Sequence, residues 1–289
     1  MKKFLAALAC AFCFSPLAVY AGTLPAPVAA ALSSVTVSGG AIHQHYSEWT
    51  HGLPNAATAP DPLDSESGSL GLFRFSLAHR FQRSGLWAQV RYDFGTGDTT
   101  YVGHTQGGTA LTASTSNTIH DVRARVGCPV SLSSVLSPQF AAVPFVEGGY
   151  YRWSRDVASG TPSAVSETYS NGYVGVGATI YYVPDPTWVT SVTLDGGSTV
   201  DAGVTMNAPL SGSGGLGSHA FAGVSLQEAY RLTQRWSILA RVSYRYFGYG
   251  IGQYPVGGTV NGTPVTTTAT EPNSTTEQVR YTFGFAYRF

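Results

Sequence analysis

Gln278-Val279-Arg280-Tyr281-Thr282-Phe283-Gly284-Phe285-Ala286-Tyr287-Arg288-Phe289, the last twelve residues, decide the fold. Val279, Tyr281, Phe283, Phe285, Tyr287 and Phe289 share one parity, while Arg280, Thr282, Gly284, Ala286 and Arg288 share the other. Strict period-two alternation is the mark of a β-strand between two unlike surroundings. A soluble domain would turn the aromatic face onto a core. Here the second face is small and charged, which suits an outer lipid face opposed to a polar lumen.

The same sorting recurs upstream. Phe73, Phe75, Leu77 and Phe81 oppose Arg74, Ser76 and Arg80; Leu86, Ala88, Val90, Tyr92 and Phe94 oppose Gln89, Arg91 and Asp93. Val122, Ala124, Val126 and Cys128 oppose Asp121, Arg123 and Arg125. Val174, Val176, Ala178 and Ile180 oppose Gly175, Gly177 and Thr179; Trp236 to Tyr246 alternate with Arg241, Ser243 and Arg245. Ten strands follow, over 34–49, 68–81, 86–95, 118–131, 140–155, 168–182, 188–206, 218–232, 236–250 and 277–289. Eight is the alternative count. The turns near 82–85, 132–139, 183–187 and 233–235 are short, while the other connections are long and rich in Gly, Ser, Thr and Pro, the alternation expected of a membrane barrel. The fold class is therefore all-β, an antiparallel transmembrane up-and-down barrel. Trp188, Trp236 and Tyr182 near strand ends suit interfacial girdles.

Carried by these strands and by the aromatic ending, the chain resembles the small-barrel outer-membrane proteins of Gram-negative bacteria. The resemblance implies residence in the cell outer membrane, with lipid and lipopolysaccharide as partners. It also implies that Tyr287 and Phe289 form a signal read by the barrel-assembly machinery.

The opposite end reads as a cleaved secretory signal over 1–21: Lys2 and Lys3, an apolar run from Phe4 to Phe14, and Val19-Tyr20-Ala21 as the cleavage site. Residues 22–289 form one barrel domain, with 22–33 as a periplasmic lead-in. Lys2 and Lys3 are the only lysines, so the exported chain sets 14 arginines against 16 acids and carries no nucleic-acid-binding patch. Cys10 and Cys13 leave with the signal, and Cys128 alone makes no internal disulfide. No cofactor or metal motif is present. A calcium reading of Asp61, Asp64 and Glu66 and a metal reading of His43, His45 and His51 lack any such motif.

Candidate chemistry concentrates in the lumen. Arg74, Arg80, Arg91, Arg123, Arg125, Arg155, Arg241, Arg245, Arg280 and Arg288 share it with Asp93, Asp121, Glu147, Asp195 and Asp201. Either they line a narrow anion-preferring pore, or they interlock as ion pairs that plug the barrel; the small bore favours the plug. Size and strand number resemble the omptin proteases, but their paired aspartates facing an Asp/His pair are absent. His45-Tyr46-Ser47 shares the His-x-Ser spacing of the outer-membrane lipid A deacylases. It lies on the first strand, however, and the register of Val35 and Val37 turns both residues to lipid unless Gly39-Gly40 bulges. Three functions stay open: a non-enzymatic surface protein meeting external ligands through its loops, a narrow anion channel, and a barrel-embedded hydrolase.

Overall fold

The structure is a computed structural model that describes residues 23–50, 62–104, 109–159, 161, 164–208, 210–260 and 263–289. The stretch read as a secretory signal, His51 and Asp61 lie outside them. Strands β1 (Ser34–Trp49), β2 (Asp64–Arg80), β3 (Trp87–His104), β4 (Ala110–Gly127), β6 (Phe140–Val157), β7 (Val165–Asp185), β8 (Trp188–Ala208), β10 (Ala220–Arg231), β11 (Trp236–Tyr249) and β14 (Asn273–Arg288) form the barrel. Each pairs antiparallel with its neighbours. The ring closes where β14 joins β1 on one side and β11 on the other, and β8 joins β10. Strand β5 (Val130–Ser131) is a short rung beside β6.

The alternation read in the sequence sorts the side chains as expected. Phe73, Phe75, Leu77, Val90, Val122, Val126, Val176, Ile180, Tyr281, Phe283 and Phe285 stand on the outer face, exposed. On a soluble surface so much apolar area would be an aggregation hazard; in hydrocarbon it is the required covering. Trp188 stacks edge-on with Tyr230 and Trp236 with Tyr287, while Tyr182 stacks on Phe140. These aromatics sit at the end that carries the short turns, Ser34 and Arg288, the periplasmic end in barrels of this kind. On the same outer face toward the opposite, extracellular end, the residues become Ser65, Ser67, Ser69, Thr96, Thr100, Ser114 and Ser116, and the apolar belt stops.

The strands run well past the belt, further than the sequence alone predicts. Residues 96–104 and 110–117 continue β3 and β4 as one paired hairpin. Residues 210–217, 252–260 and 263–271 form β9, β12 and β13, a paired extension of the wall. In sequence these stretches read as loops, because Thr, Ser and Gly dominate them and the few inward apolar residues, among them Leu210, Leu216, Tyr254 and Val256, are set among polar neighbours. The backbone hydrogen bonds and the strand preference of threonine still hold them extended.

Asp201, expected in the lumen, is exposed instead. Its φ of 51° marks a left-handed kink at a register shift that turns it outward. The lead-in is also more than a tether: Ala26–Ala31 forms helix α1, which packs Val28 and Leu32 with Trp87, Val143, Phe145 and Leu239. This apolar cluster floors the lumen.

Closure is tightest at the β1–β14 seam. A Cβ at Gly40 would overlap the carbonyl of Tyr281, and one at Gly284 would meet the backbone of Val37 and Ser38. Glycine at a tight barrel corner is the usual solution. Gly40→Val is therefore expected to abolish the compact, heat-modifiable gel band of the refolded protein, whereas Val37→Ala on the lipid face leaves it intact.

Candidate functional site

Above the apolar floor, the lumen is filled by charged side chains that the strands deliver from all round the ring. Arg74 on β2 clasps Asp93 on β3 through two bonds of 2.7 Å. Arg280 on β14 bridges Asp93 at 2.6 Å and Asp121 at 3.0 Å, and Arg245 on β11 reaches Asp121 at 3.1 Å. Arg125 on β4 binds Glu147 at 2.8 Å and Asp195 at 3.1 Å, with Arg123 beside them at 3.5 Å from both acids. Arg245 also lies over the rings of Tyr173, Phe247 and Phe221, at 4.5, 4.6 and 5.3 Å, contacts that favour a desolvated cation.

Of the luminal residues named from sequence, Arg74, Arg91, Arg123, Arg125, Glu147, Arg245 and Arg280 all belong to this plug. Arg241 sits lower, bonded to Gln227, and Arg80 lies at the end of β2 near the periplasmic rim, its backbone N–H donating to Ser33. Above the plug comes an uncharged layer. Gln278 donates to Gln44 at 2.7 Å and to Tyr151 at 3.0 Å across the lumen, and Tyr151 stacks on Phe247 at 4.9 Å. Gln44, Gln278, Tyr151, Ile42 and Phe247 are each 0% exposed, so water does not touch them from either side.

Beyond this layer the lumen opens into a cup at the extracellular end, with a volume of about 650 Å³. Arg155 stands at its base, held by Glu167 at 2.8 Å, Glu48 at 3.4 Å and Glu66 at 3.5 Å. Its guanidinium lies among Tyr46, Trp153 and Tyr169. Two further acids line the cup, and neither forms an ion pair among the described residues. Asp64 accepts from the Tyr101 hydroxyl at 3.0 Å through one oxygen, while its other oxygen has no hydrogen-bond partner among those residues. Glu271, carried over the mouth by the β12–β13 hairpin, accepts from the Tyr169 hydroxyl. Burial, and then the charge of Glu167, raises the Glu271 carboxyl to about 7. Tyr254 also lines the wall, 2% exposed, its hydroxyl without a partner among the described residues.

The sequence reading names Asp64 and Glu66 only as calcium ligands and misses Glu48, Glu167 and Glu271. Extending the inward parity of β1 and β2 finds Glu48 and Glu66; Glu271 carries no such signal. Among the described residues, no three His, Cys, Asp or Glu side chains converge as a metal site.

On the outer wall, β1 keeps an unbroken register through Gly39 and Gly40, so no bulge shifts its faces. His45 and Ser47 accordingly share the outer face, with Ser47 Oγ and His45 Nε2 3.1 Å apart. Glu277 is the cross-strand partner of His45. Ser47 is 3% exposed.

In solved structures the same architecture recurs. The outer-membrane protease OmpT from Escherichia coli superposes with a TM-score of 0.60 at 9% identity, over 89% of this chain and 96% of that one. The fold is that of a small outer-membrane β-barrel. More distant are the translocator domain of the autotransporter NalP from Neisseria meningitidis (TM-score 0.39, 8% identity, 89% of each chain) and OprG from Pseudomonas aeruginosa (0.33, 8%, 89% and 96%). No protein-family model and no curated protein sequence matches the chain. At 9% identity the likeness to OmpT concerns fold alone.

The plug makes a measurable demand. Removing one member of a buried ion-pair network leaves its partners undercompensated, at a cost of about 3–5 kcal/mol. Arg280→Met is expected to lower the urea-unfolding free energy in lipid vesicles by an amount of that order. Arg83→Ala, on an exposed turn, should stay within about 0.5 kcal/mol of the parent.

Proposed function

We propose that this protein is a non-conducting, non-enzymatic barrel of the outer membrane that captures cationic partners in its extracellular cup. One observation carries the reading: four carboxylates, Glu48, Asp64, Glu167 and Glu271, line one cavity with a single arginine and the rings of Tyr101 and Tyr254, and Asp64 and Glu271 form no ion pair among the described residues. Such a surface draws cations by its field and offers ring faces for them to lie on. The acids are spread around the wall, so the geometry suits an extended organic cation, a polyamine or an arginine-bearing peptide, better than a single metal ion. The β12–β13 hairpin takes part through Glu271 and Tyr254, the role expected of a surface element on a rigid scaffold.

The channel reading needs a water path past Gln44, Gln278 and Tyr151, which the 0% exposure of all three argues against. Planar-bilayer recordings of the refolded protein should therefore show no discrete conductance steps. For the cup, calorimetric titration with spermidine and with a triarginine peptide should give saturable binding. Asp64→Asn or Glu271→Gln should weaken it about tenfold, which corresponds to roughly 1.4 kcal/mol. Burial raises the carboxyls of Glu271, to about 7, and of Glu48 and Asp64, so the cup gains negative charge as pH rises and affinity should rise with it. Binding indifferent to both substitutions and to pH would refute the cup as the recognition site.

A second reading rests on the Ser47–His45 contact, a nucleophile within reach of a general base on the outer face. Cleavage of a short-chain ester by detergent-folded protein, lost in both Ser47→Ala and His45→Ala, would favour it over a binding role. The low exposure of Ser47 and the absence of an ion pair between His45 and Glu277 among the described residues favour the first reading.

A further inference from the structure

The charges of the lower lumen do not balance. Between the apolar floor and the uncharged layer, the described residues place seven arginines, 74, 91, 123, 125, 241, 245 and 280, with only four carboxylates, Asp93, Asp121, Glu147 and Asp195. The surplus is local. Arg241 donates through Nε and Nη2 to the neutral Gln227, at 3.0 and 2.5 Å, and has no carboxylate within ion-pairing distance among the described residues. Arg91 reaches only Asp93 among them, at 3.6 Å, and Asp93 is already engaged by Arg74 and Arg280.

Both poorly compensated arginines face one cavity of about 70 Å³, which Arg74 and Arg125 also line and which no acidic side chain among the described residues lines. The residues that line it carry donors without an acceptor. Nε of Arg91, Nη1 of Arg74 and the hydroxyls of Ser38 and Thr282 are buried without a hydrogen-bond partner among the described residues; Ser38 is 3% and Thr282 6% exposed. Arginine does not shed its proton inside proteins and offers no acceptor of its own. A buried cation left without a partner is heavily penalised. Water alone satisfies the donors but supplies no charge. An anion does both.

We infer that this chamber is an occluded site for one small inorganic anion, held by Arg241 and Arg91 and by the hydroxyls of Ser38 and Thr282. Its volume accommodates a halide with a few waters, or one tetrahedral oxyanion, given that one water needs about 10–15 Å³ by the same measure. The apolar floor, which reaches the chamber through Leu239, lies below it, and the ion-pair plug lies above. The ion is therefore a structural counter-charge loaded as the barrel closes, and carries no current.

The test uses the full mature chain, unfolded in urea and refolded into detergent in sodium gluconate, so that the anion can enter during folding. Sodium bromide or sodium phosphate is then titrated against gluconate at constant ionic strength, reading the urea-unfolding midpoint. The expected result is a saturable rise of the midpoint with at least one of the two anions. Arg241→Gln and, separately, Thr282→Val should raise the half-saturating concentration about tenfold, while Arg83→Gln on the exposed turn changes nothing. A response to bromide assigns a halide site and a response to phosphate alone an oxyanion site. No specific rise with either anion, or an unchanged half-saturation in both chamber variants, overturns the inference. Should Arg241→Gln fail to fold, Thr282→Val together with anomalous diffraction from bromide-grown crystals of the parent decides. Bromide density beside Arg241, or a half-saturation shifted in Thr282→Val, supports the site; neither of them overturns it.

Discussion

In hydrocarbon, a backbone N–H or C=O without a partner costs several kcal/mol, so a sheet that enters lipid must have no free edge. The whole molecule follows from meeting that demand with ten strands. β14 pairs β1 from Ser34–Arg288 to Trp49–Asn273 and β11 from Trp236–Tyr287 to Tyr249–Ser274, and the ring is complete. Closure with so few strands leaves an interior only as wide as side chains can bridge. Every inward residue is then forced against residues from the far wall. That is why Arg280 on β14 meets Asp121 on β4, and why Arg155 on β6 meets Glu48 on β1.

A narrow polar lumen is costly to fill, because each buried charge must be matched and each donor satisfied. Arginine suits the task better than lysine: its planar fork makes several bonds at once and stacks on rings. Arg155 and Arg245 use both properties, pairing with acids while lying over tyrosine and phenylalanine. The charges are also segregated along the axis. An arginine-rich lower chamber and a carboxyl-lined upper cup are separated by the uncharged Gln44–Gln278–Tyr151 layer. The two surpluses, of carboxyls and of arginines, thus remain apart instead of cancelling. The upper one lies toward the extracellular end, and the lower one lies between floor and plug.

Much of this is legible along the chain, and the boundary of legibility has a physical cause. Wherever a strand lies between lipid and lumen, its two faces differ sharply, and parity alone assigns them. Tyr281, Phe283 and Phe285 face out against Arg280 and Thr282, and Val122 and Val126 do so against Arg123 and Arg125. Above the belt, the outer face is polar as well, so residues 96–104 or 263–271 read as loops although they are strands. Asp201 escapes for a different reason: one left-handed residue at a register shift reverses parity locally, and no neighbouring side chain announces it. Helix α1 is too short for a periodic signal, and it is Val28 and Leu32 packing into the apolar floor that anchors it.

By itself, then, the amino-acid order determined that the chain is a membrane barrel and, within the belt, which side chains of the regular strands face lipid and which face inward, since these depend only on period-two geometry and the contrast between two solvents. Which inward groups touch was decided by the tertiary structure. The partners of Arg280, the neutral partner of Arg241 and the gathering of Glu48, Asp64 and Glu271 around one cavity depend on strand stagger and closure across the ring. Those distances join residues far apart in the chain, and no local pattern encodes them.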